Sequence, residues 1–384
     1  MKKQKRIFNI LFDSLGSSKF ALYLIVFILT LLIISIIIPQ ASFFSTKYIN
    51  DWEKSRPLFG AFARNLGLFD IYHSHVFLLI TALLFINILI CTIIRFNKLG
   101  GISTLRGANK TRMYGFLMVH LSLLLLFSGS FMSSAFQMTG LIQLTENQRF
   151  LDTEENYLYF SKGALREKKN MGILITQKKI DVDNQDGRYH LKTTSYLDIL
   201  NKKNELTNAV VKINEPYVYE NYHITNKKTG FSPFVHIYDN KSGREMAASY
   251  IALNTSRISG YYTHRDYFKF PFLEKKLFFT VYPDYKEENG NIIKVAEDPL
   301  NPIMLVQIEN ENGGIQKIGY VRLGEKIKIE NYDLYFVDLK RWAQYIVMED
   351  PGYIIVAISL WIGIVGLILR YFKELARWFN KQNE

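Results

Sequence analysis

Four stretches of about 17–20 residues are almost free of charge, and they constrain this chain more than any other feature. They run over 20–38, 76–94, 114–132 and 353–369, each rich in Leu, Ile, Val and Phe. A helix of that length covers the roughly 30 Å of a bilayer's hydrocarbon core. The chain is therefore expected to be an integral membrane protein, which excludes a purely soluble enzyme. The first span reads as a retained helix, because its apolar run is long and Ile36-Ile37-Ile38-Pro39 is not a small-residue cleavage site.

Charge predicts the orientation. The N-terminus 1–19 carries five basic residues against Asp13, the 95–113 loop five against no acid, and the 370–384 tail four against two. These segments fall on one side if the chain crosses four times, and the positive-inside bias makes that side cytoplasmic. The 39–75 loop has a net charge of +1, and the 133–352 segment balances 29 basic with 29 acidic residues. The formal charge of +12 is thus a topology signal and gives no support for nucleic-acid binding. Apolar residues at helical spacing in Arg6–Leu15 and after Tyr371 suit helices lying at the lipid surface.

The long segment 133–352 alternates apolar with polar residues and is rich in β-branched and aromatic side chains. Strand-like runs include Tyr189–Ile199, Ala209–Tyr219, Lys276–Tyr282, Ile303–Ile308 and Lys326–Asp338, with turns at Asp186-Gly187, Asn289-Gly290 and Asn312-Gly313. Thr153–Phe160 and Ser249–Leu253 are the helix candidates. The expected fold is four transmembrane helices, three N-terminal and one C-terminal, with an external antiparallel β-rich domain, a sandwich, between spans three and four. Cys91 is the sole cysteine and cannot form an intramolecular disulfide or a Cys-x-x-Cys pair. The scattered His190, His223, His236 and His264 make no ligand spacing, and no hydrolase or nucleotide motif occurs, so this part reads as a binding or scaffolding domain.

His120 is the sharpest single residue. It lies within an apolar span about two turns from its cytoplasmic end, and an imidazole in hydrocarbon normally faces a bundle interior, a partner or a cofactor. Two readings stay open: a haem or metal ligand, and a helix–helix hydrogen bond to a group such as Asn87. Serines and glycines downstream of it, and Gly363 and Gly366 in span four, suit close helix packing. His73 and His75, at i and i+2 beside span two, can hold a metal or haem, but that spacing aligns them on neither helix nor strand, and the plainer reading is interfacial polarity.

Several short segments resemble the ResB/CcsB family of system II cytochrome c biogenesis. They are Phe12-Asp13-Ser14-Leu15 with Lys19-Phe20-Ala21, Ile38-Pro39-Gln40, Asn87 with Cys91 and Arg95, and His120-Leu121 followed by Gly129 and Gly140-Leu141-Ile142-Gln143-Leu144. Asn214-Glu215-Pro216 with Tyr222, and Glu349-Asp350-Pro351-Gly352 before the last span, complete the set. Ser122, Asn147-Gln148 and Asn221 depart from the family's usual glycines.

The resemblance implies a subunit of the cytochrome c synthase in a bacterial cytoplasmic membrane, with both termini cytoplasmic and the large domain outside. Such a subunit works with a CcsA-type membrane protein. The pair moves haem b outward and presents it to apocytochrome c for attachment at Cys-x-x-Cys-His, served by thiol-reducing pathway proteins. The resemblance makes His120 a candidate axial ligand of the haem iron. It makes Asp350, Pro351, Gly352, Asn214 and Pro216 structural motif residues. The four tryptophans are scattered, so the chain is not expected to be catalytic alone. The alternative is a scaffold or chaperone that binds an exported protein without haem. A receptor is disfavoured by the 15-residue tail, and a transporter by the lack of an internal repeat.

Overall fold

The computed structural model describes residues 12, 14–41, 46–107, 110–163, 165–167, 171–183, 192–258, 261–310 and 313–382. Most of the Arg6–Leu15 stretch, His190 and the Asp186-Gly187 turn lie outside them, as does Asn312. The chain divides into two compact units. One comprises residues 1–137, 162–167 and 350–384, and the other 138–161 and 168–349.

The first unit is helical: α1 (Ser18–Ile37), α2 (Thr46–Lys54), α3 (Pro57–Asn65), α4 (His75–Lys98), α5 (Lys110–Phe136) and α6 (Tyr353–Gln382). Four of these, α1, α4, α5 and the 353–372 part of α6, are long and apolar enough to cross a membrane. Serines set two of the starts. Ser17 accepts from the Phe20 amide at 3.1 Å, and Ser74 accepts from Phe77 at 3.2 Å, each satisfying a free N–H of the first turn. The 39–75 loop, unassigned from sequence, holds α2, α3 and a 3-10 turn over Leu68–His73. Gln40 pins that turn: it donates to the Leu68 carbonyl at 3.0 Å and accepts from the Ile71 amide at 3.2 Å. The residues after Tyr371 form no separate surface helix, because α6 runs on without a break to Gln382.

α5 and α6 pack as an antiparallel pair along small residues. Gly115, Ser122 and Gly129 recur every seventh residue on α5, and Ser359 and Gly366 follow Gly352 at the same interval along α6. A Cβ on Gly129 would lie 3.0 Å from the Val356 amide, one on Gly363 2.9 Å from the Ser122 hydroxyl, and one on Gly366 2.8 Å from the Val119 amide. The glycines thus let the two backbones approach closely. This is how helices gain dispersion contacts where lipid leaves little hydrophobic driving force. The small residues noted in sequence serve this neighbouring span.

The second unit is an antiparallel β assembly of eighteen strands among the described residues. It begins β1 (Met138–Thr145), β2 (Arg149–Leu151), β3 (Tyr159–Lys162), β4 (Leu174–Asp183), β5 (Lys192–Leu200) and β6 (Leu206–Lys212). Next come β7 (Tyr217–Tyr219), β8 (Tyr222–Asp239), β9 (Glu245–Tyr250), β10 (Thr255–Ile258), β11 (Tyr261–Phe268) and β12 (Leu277–Tyr282). It ends β13 (Asp284–Glu288), β14 (Asn291–Ala296), β15 (Ile303–Glu309), β16 (Ile315–Arg322), β17 (Lys326–Ile329) and β18 (Tyr332–Glu349). A central sheet runs β3-β1-β18-β8-β7, with β17 on β18 and β9 on β8. Two further sheets run β2-β4-β5-β6 and β10-β11-β12-β15-β16. β13 and β14 form a hairpin whose turn, Asn289-Gly290, has positive φ at both residues.

The expected sandwich is in fact two cores on one spine. β8 and β18 are each 18 residues long and pair along almost their whole length. One end of the pair packs with β1 against the β4–β6 sheet around Ile142, Ile175, Ile199, Tyr222 and Tyr345. The other end packs against the β12–β15 sheet around Phe231, Phe279, Val306, Leu334 and Phe336. An 18-residue strand is about 60 Å long, too long for one small core. The helix candidates fail. Thr153–Phe160 gives only a 3-10 turn at Glu154–Asn156 followed by β3, and Ser249–Leu253 is the end of β9 and a loop. In both, the backbone bonds go to neighbouring strands, as when Leu158 donates to Leu141 and Ile251 to Pro233.

Candidate functional site

His120 stands on α5 one turn after Phe116. Its Nδ1 lies 2.9 Å from the Phe116 carbonyl oxygen. A carbonyl only accepts, so Nδ1 carries the proton and Nε2 keeps its lone pair. Metal-binding histidines adopt this arrangement, with the far nitrogen held by a carbonyl and the near one left basic. The imidazole packs on the Phe116 ring at 4.2 Å between centroids and is half-buried. The donor set suits haem iron, for which a neutral imidazole nitrogen is an ordinary axial ligand.

Two cations share that aromatic ring. The guanidinium carbon of Arg95, from the last turn of α4, is 5.9 Å from the Phe116 centroid, and that of Arg370, from α6, is 5.8 Å away. Arg370 reaches this place because a Cβ on Gly115 would meet its backbone and the Gly366 carbonyl, the latter at 2.7 Å. Neither arginine forms an ion pair with a carboxylate among the described residues. In the sequence Arg370 is simply one of the four basic residues of the 370–384 tail. Its placement beside His120 follows only from the glycine contact between the helices.

The alternative partner for His120 is otherwise engaged. Asn87 is fully buried, and its amide nitrogen donates to the Leu15 carbonyl and, at 3.2 Å, to that of Ser17. Cys91 lies 2.8 Å from the Gly16 carbonyl oxygen. These two side chains dock the start of α1 on α4, a packing role.

The remaining candidates are dispersed. His73 ends the 3-10 turn at Leu68–His73, and its side chain lies outside the described residues. His75 is the first residue of α4 and exposed. Asp350 accepts from the Ser133 hydroxyl at 2.6 Å and from the Gly352 amide at 2.9 Å. It therefore links the start of α6 to the end of α5, with Pro351 in the turn between. A Cβ on Gly352 would strike the Gly129 carbonyl, so that position takes only glycine. Asn214 sits at φ 62° in the turn between β6 and β7, and Pro216 precedes β7. Asparagine tolerates that left-handed conformation better than most residues.

The β unit holds a polar cluster that no sequence spacing announced. His264 is 2% exposed; its Nε2 is 2.9 Å from Glu297 Oε2, and its Nδ1 is 3.1 Å from the Thr255 hydroxyl. Glu297 also binds Lys294, whose ammonium donates to the Tyr262 carbonyl at 2.6 Å. Arg341 donates to the Glu297 carbonyl at 3.0 Å and to Asp298 at 3.2 Å, and stacks on Phe231. Burial pushes the His264 imidazole below its usual range, against the pull of Glu297. Burial acts to raise the Glu297 carboxyl, but His264 and Lys294 together outweigh it and hold the group low. The result is a neutral imidazole beside a carboxylate balanced by Lys294. His264 and Glu297 lie on different strands and loops, which hid them. Each side chain of the set has a polar partner within it, so the cluster is structural. Among the described residues no group of three His, Cys, Asp or Glu is placed to hold a metal.

The fold and this site define a class: a membrane protein with four apolar spans, a β-rich unit inserted before the last, and a histidine–arginine cluster in the helices. The chain belongs to the ResB-like family, whose profile matches residues 18–108 and 102–383. No curated protein matches it. Among solved structures it is similar to a cytochrome c heme lyase, CcmF, at 10% identity and a TM-score of 0.28. That alignment covers 76% of this chain and 30% of the other, a likeness too slight to carry function.

Proposed function

We propose that this protein acts in cytochrome c biogenesis, helping to move haem across the membrane and to present it for covalent attachment. The reading rests on membership of the ResB-like family. The observation that carries it is the Nε2 of His120, without a hydrogen-bond partner among the described residues, inside an apolar helix with Nδ1 held by a carbonyl. In this account His120 binds haem iron, the spans give the porphyrin an apolar path, and the β-rich unit lies outside the membrane to position apocytochrome c. The basic N-terminus, 95–113 loop and tail lie in the cytoplasm by the positive-inside bias. Haem is cargo, shared with a CcsA-type partner. Attachment at Cys-x-x-Cys-His needs reduced thiols, which thiol-reducing proteins supply, because this chain offers only Cys91.

The test is the absorbance spectrum of the detergent-purified protein, expressed with and without a CcsA-type partner. A Soret band with reduced-haem α and β bands, lost or shifted in His120→Ala, is expected. Unchanged haem occupancy and cytochrome c yield in His120→Ala would remove the ligand assignment. A haem-free complex with partner association proven would favour a scaffold that binds an exported protein.

A further inference from the structure

Arg95 and Arg370 come from different helices, flank one aromatic ring and lack carboxylate partners among the described residues. Both lie near the end of an apolar span, and Arg370 is half-buried. Arg95 is exposed, so its cost is the repulsion of a like charge held beside it, while half-buried Arg370 also gives up part of its hydration. An anion placed between them would relieve both costs. Guanidinium is the cation best shaped for the task, since its planar fork meets a carboxylate with two parallel hydrogen bonds. Phe116, only 2% exposed, gives both forks a common platform. His120 lies on the same ring, one turn further into the span than Phe116.

We propose that Arg95 and Arg370 form a two-point clasp for paired carboxylates on an amphipathic ligand whose metal or apolar body is taken at His120. Resting on the functional reading above, those carboxylates are the two haem propionates. The clasp sets the ligand's direction. The iron lies on the apolar side of Phe116, and the carboxylates lie toward the basic segment that begins at Arg95.

The experiment titrates the full detergent-purified chain with ferric haem and with haem dimethyl ester, which has the same iron and ring but no free carboxylates. Binding is read from the Soret band. The wild-type protein is expected to prefer haem to its ester. Arg95→Gln and Arg370→Gln are each expected to lower haem affinity by about tenfold, the value of one charge-assisted hydrogen bond, and to leave ester affinity unchanged. Arg370→Lys should recover part of the loss. His120→Ala should alter the Soret position yet keep the preference for haem. Equal wild-type affinity for haem and ester overturns the clasp while leaving His120 as ligand, and needs no variant to fold. Equal weakening of both compounds in Arg370→Gln would mark a packing effect and also overturn it. Absence of binding by either compound overturns the haem reading itself, and the clasp with it.

Discussion

The two units treat ionisable groups in opposite ways. In the β unit, buried charge is closed upon itself: His264, Glu297 and Lys294 satisfy one another, Arg341 is held by Asp298 and a backbone carbonyl, and Tyr157 donates to Asp152 at 2.6 Å. In the helical unit, His120 uses one nitrogen on its own helix and keeps the other free, while two arginines stand without carboxylates among the described residues. A closed network costs desolvation and returns rigidity. An open one gains little within the chain itself, and the proposed function gives it a ligand. The proposed function therefore draws on the unit whose polar groups are incomplete among the described residues.

That contrast can be broken by measurement. The largest effect is expected at Glu297. Glu297→Ala leaves His264 and Lys294 without their carboxylate and should cost about 4 kcal/mol of stability in denaturant unfolding of the detergent-solubilised chain, with haem binding unchanged in any molecule that folds. A neutral result would mean the cluster is not the closed network described. Gly352→Val drives a side chain into the Gly129 carbonyl and should cost about 3 kcal/mol, seen as a lower unfolding temperature. Wild-type stability at that position would disprove the backbone contact between α5 and α6.

Acid should weaken the β unit through this cluster. The folded-state pKa of His264 lies below its ordinary value of 6.5, so the unfolded chain protonates first as pH falls. Stability from this group is complete above 6.5 and is lost below it, as pH drops toward the folded value. Glu297 is also held low, so its contribution disappears as pH falls below its ordinary 4.5. Denaturant midpoints between pH 4 and 8 should therefore decline on the acid side, and His264→Gln should flatten the upper part of that decline. An unchanged slope in the variant would contradict the assignment. Asp350→Ala removes two hydrogen bonds at the start of α6 and should cost about 1 kcal/mol. His120→Ala is the smallest in stability, under about 1 kcal/mol, because the contacts described for it, a hydrogen bond and a ring contact, are both with Phe116 on its own helix. A large loss of stability there would place His120 with His264 as a structural residue and erase the comparison.

Much of the fold was legible. Hydropathy marks spans because lipid leaves a helix no choice about its outward face, and period-two alternation marks strands because a half-buried sheet requires it. The candidate site was legible only in part. His120 stood out as an imidazole in an apolar run. Arg370 did not, because basic residues after a span ordinarily serve the interface. His264 was seen only as a scattered histidine, since its partner Glu297 is 33 residues away.

The sequence by itself determined the number of apolar helices, the β-rich character of the segment between the third and fourth, and the presence of one imidazole where water is scarce. These are local properties, set by the solvation of each side chain and the pitch of the backbone. Only the tertiary structure decided that Gly115 and Gly366 would meet and carry Arg370 to Phe116. It alone decided that β8 and β18 would serve two cores, and that a carboxylate would close on His264. Those outcomes depend on which distant surfaces fit together, and close packing is a property of pairs of elements that neither member's sequence pattern contains.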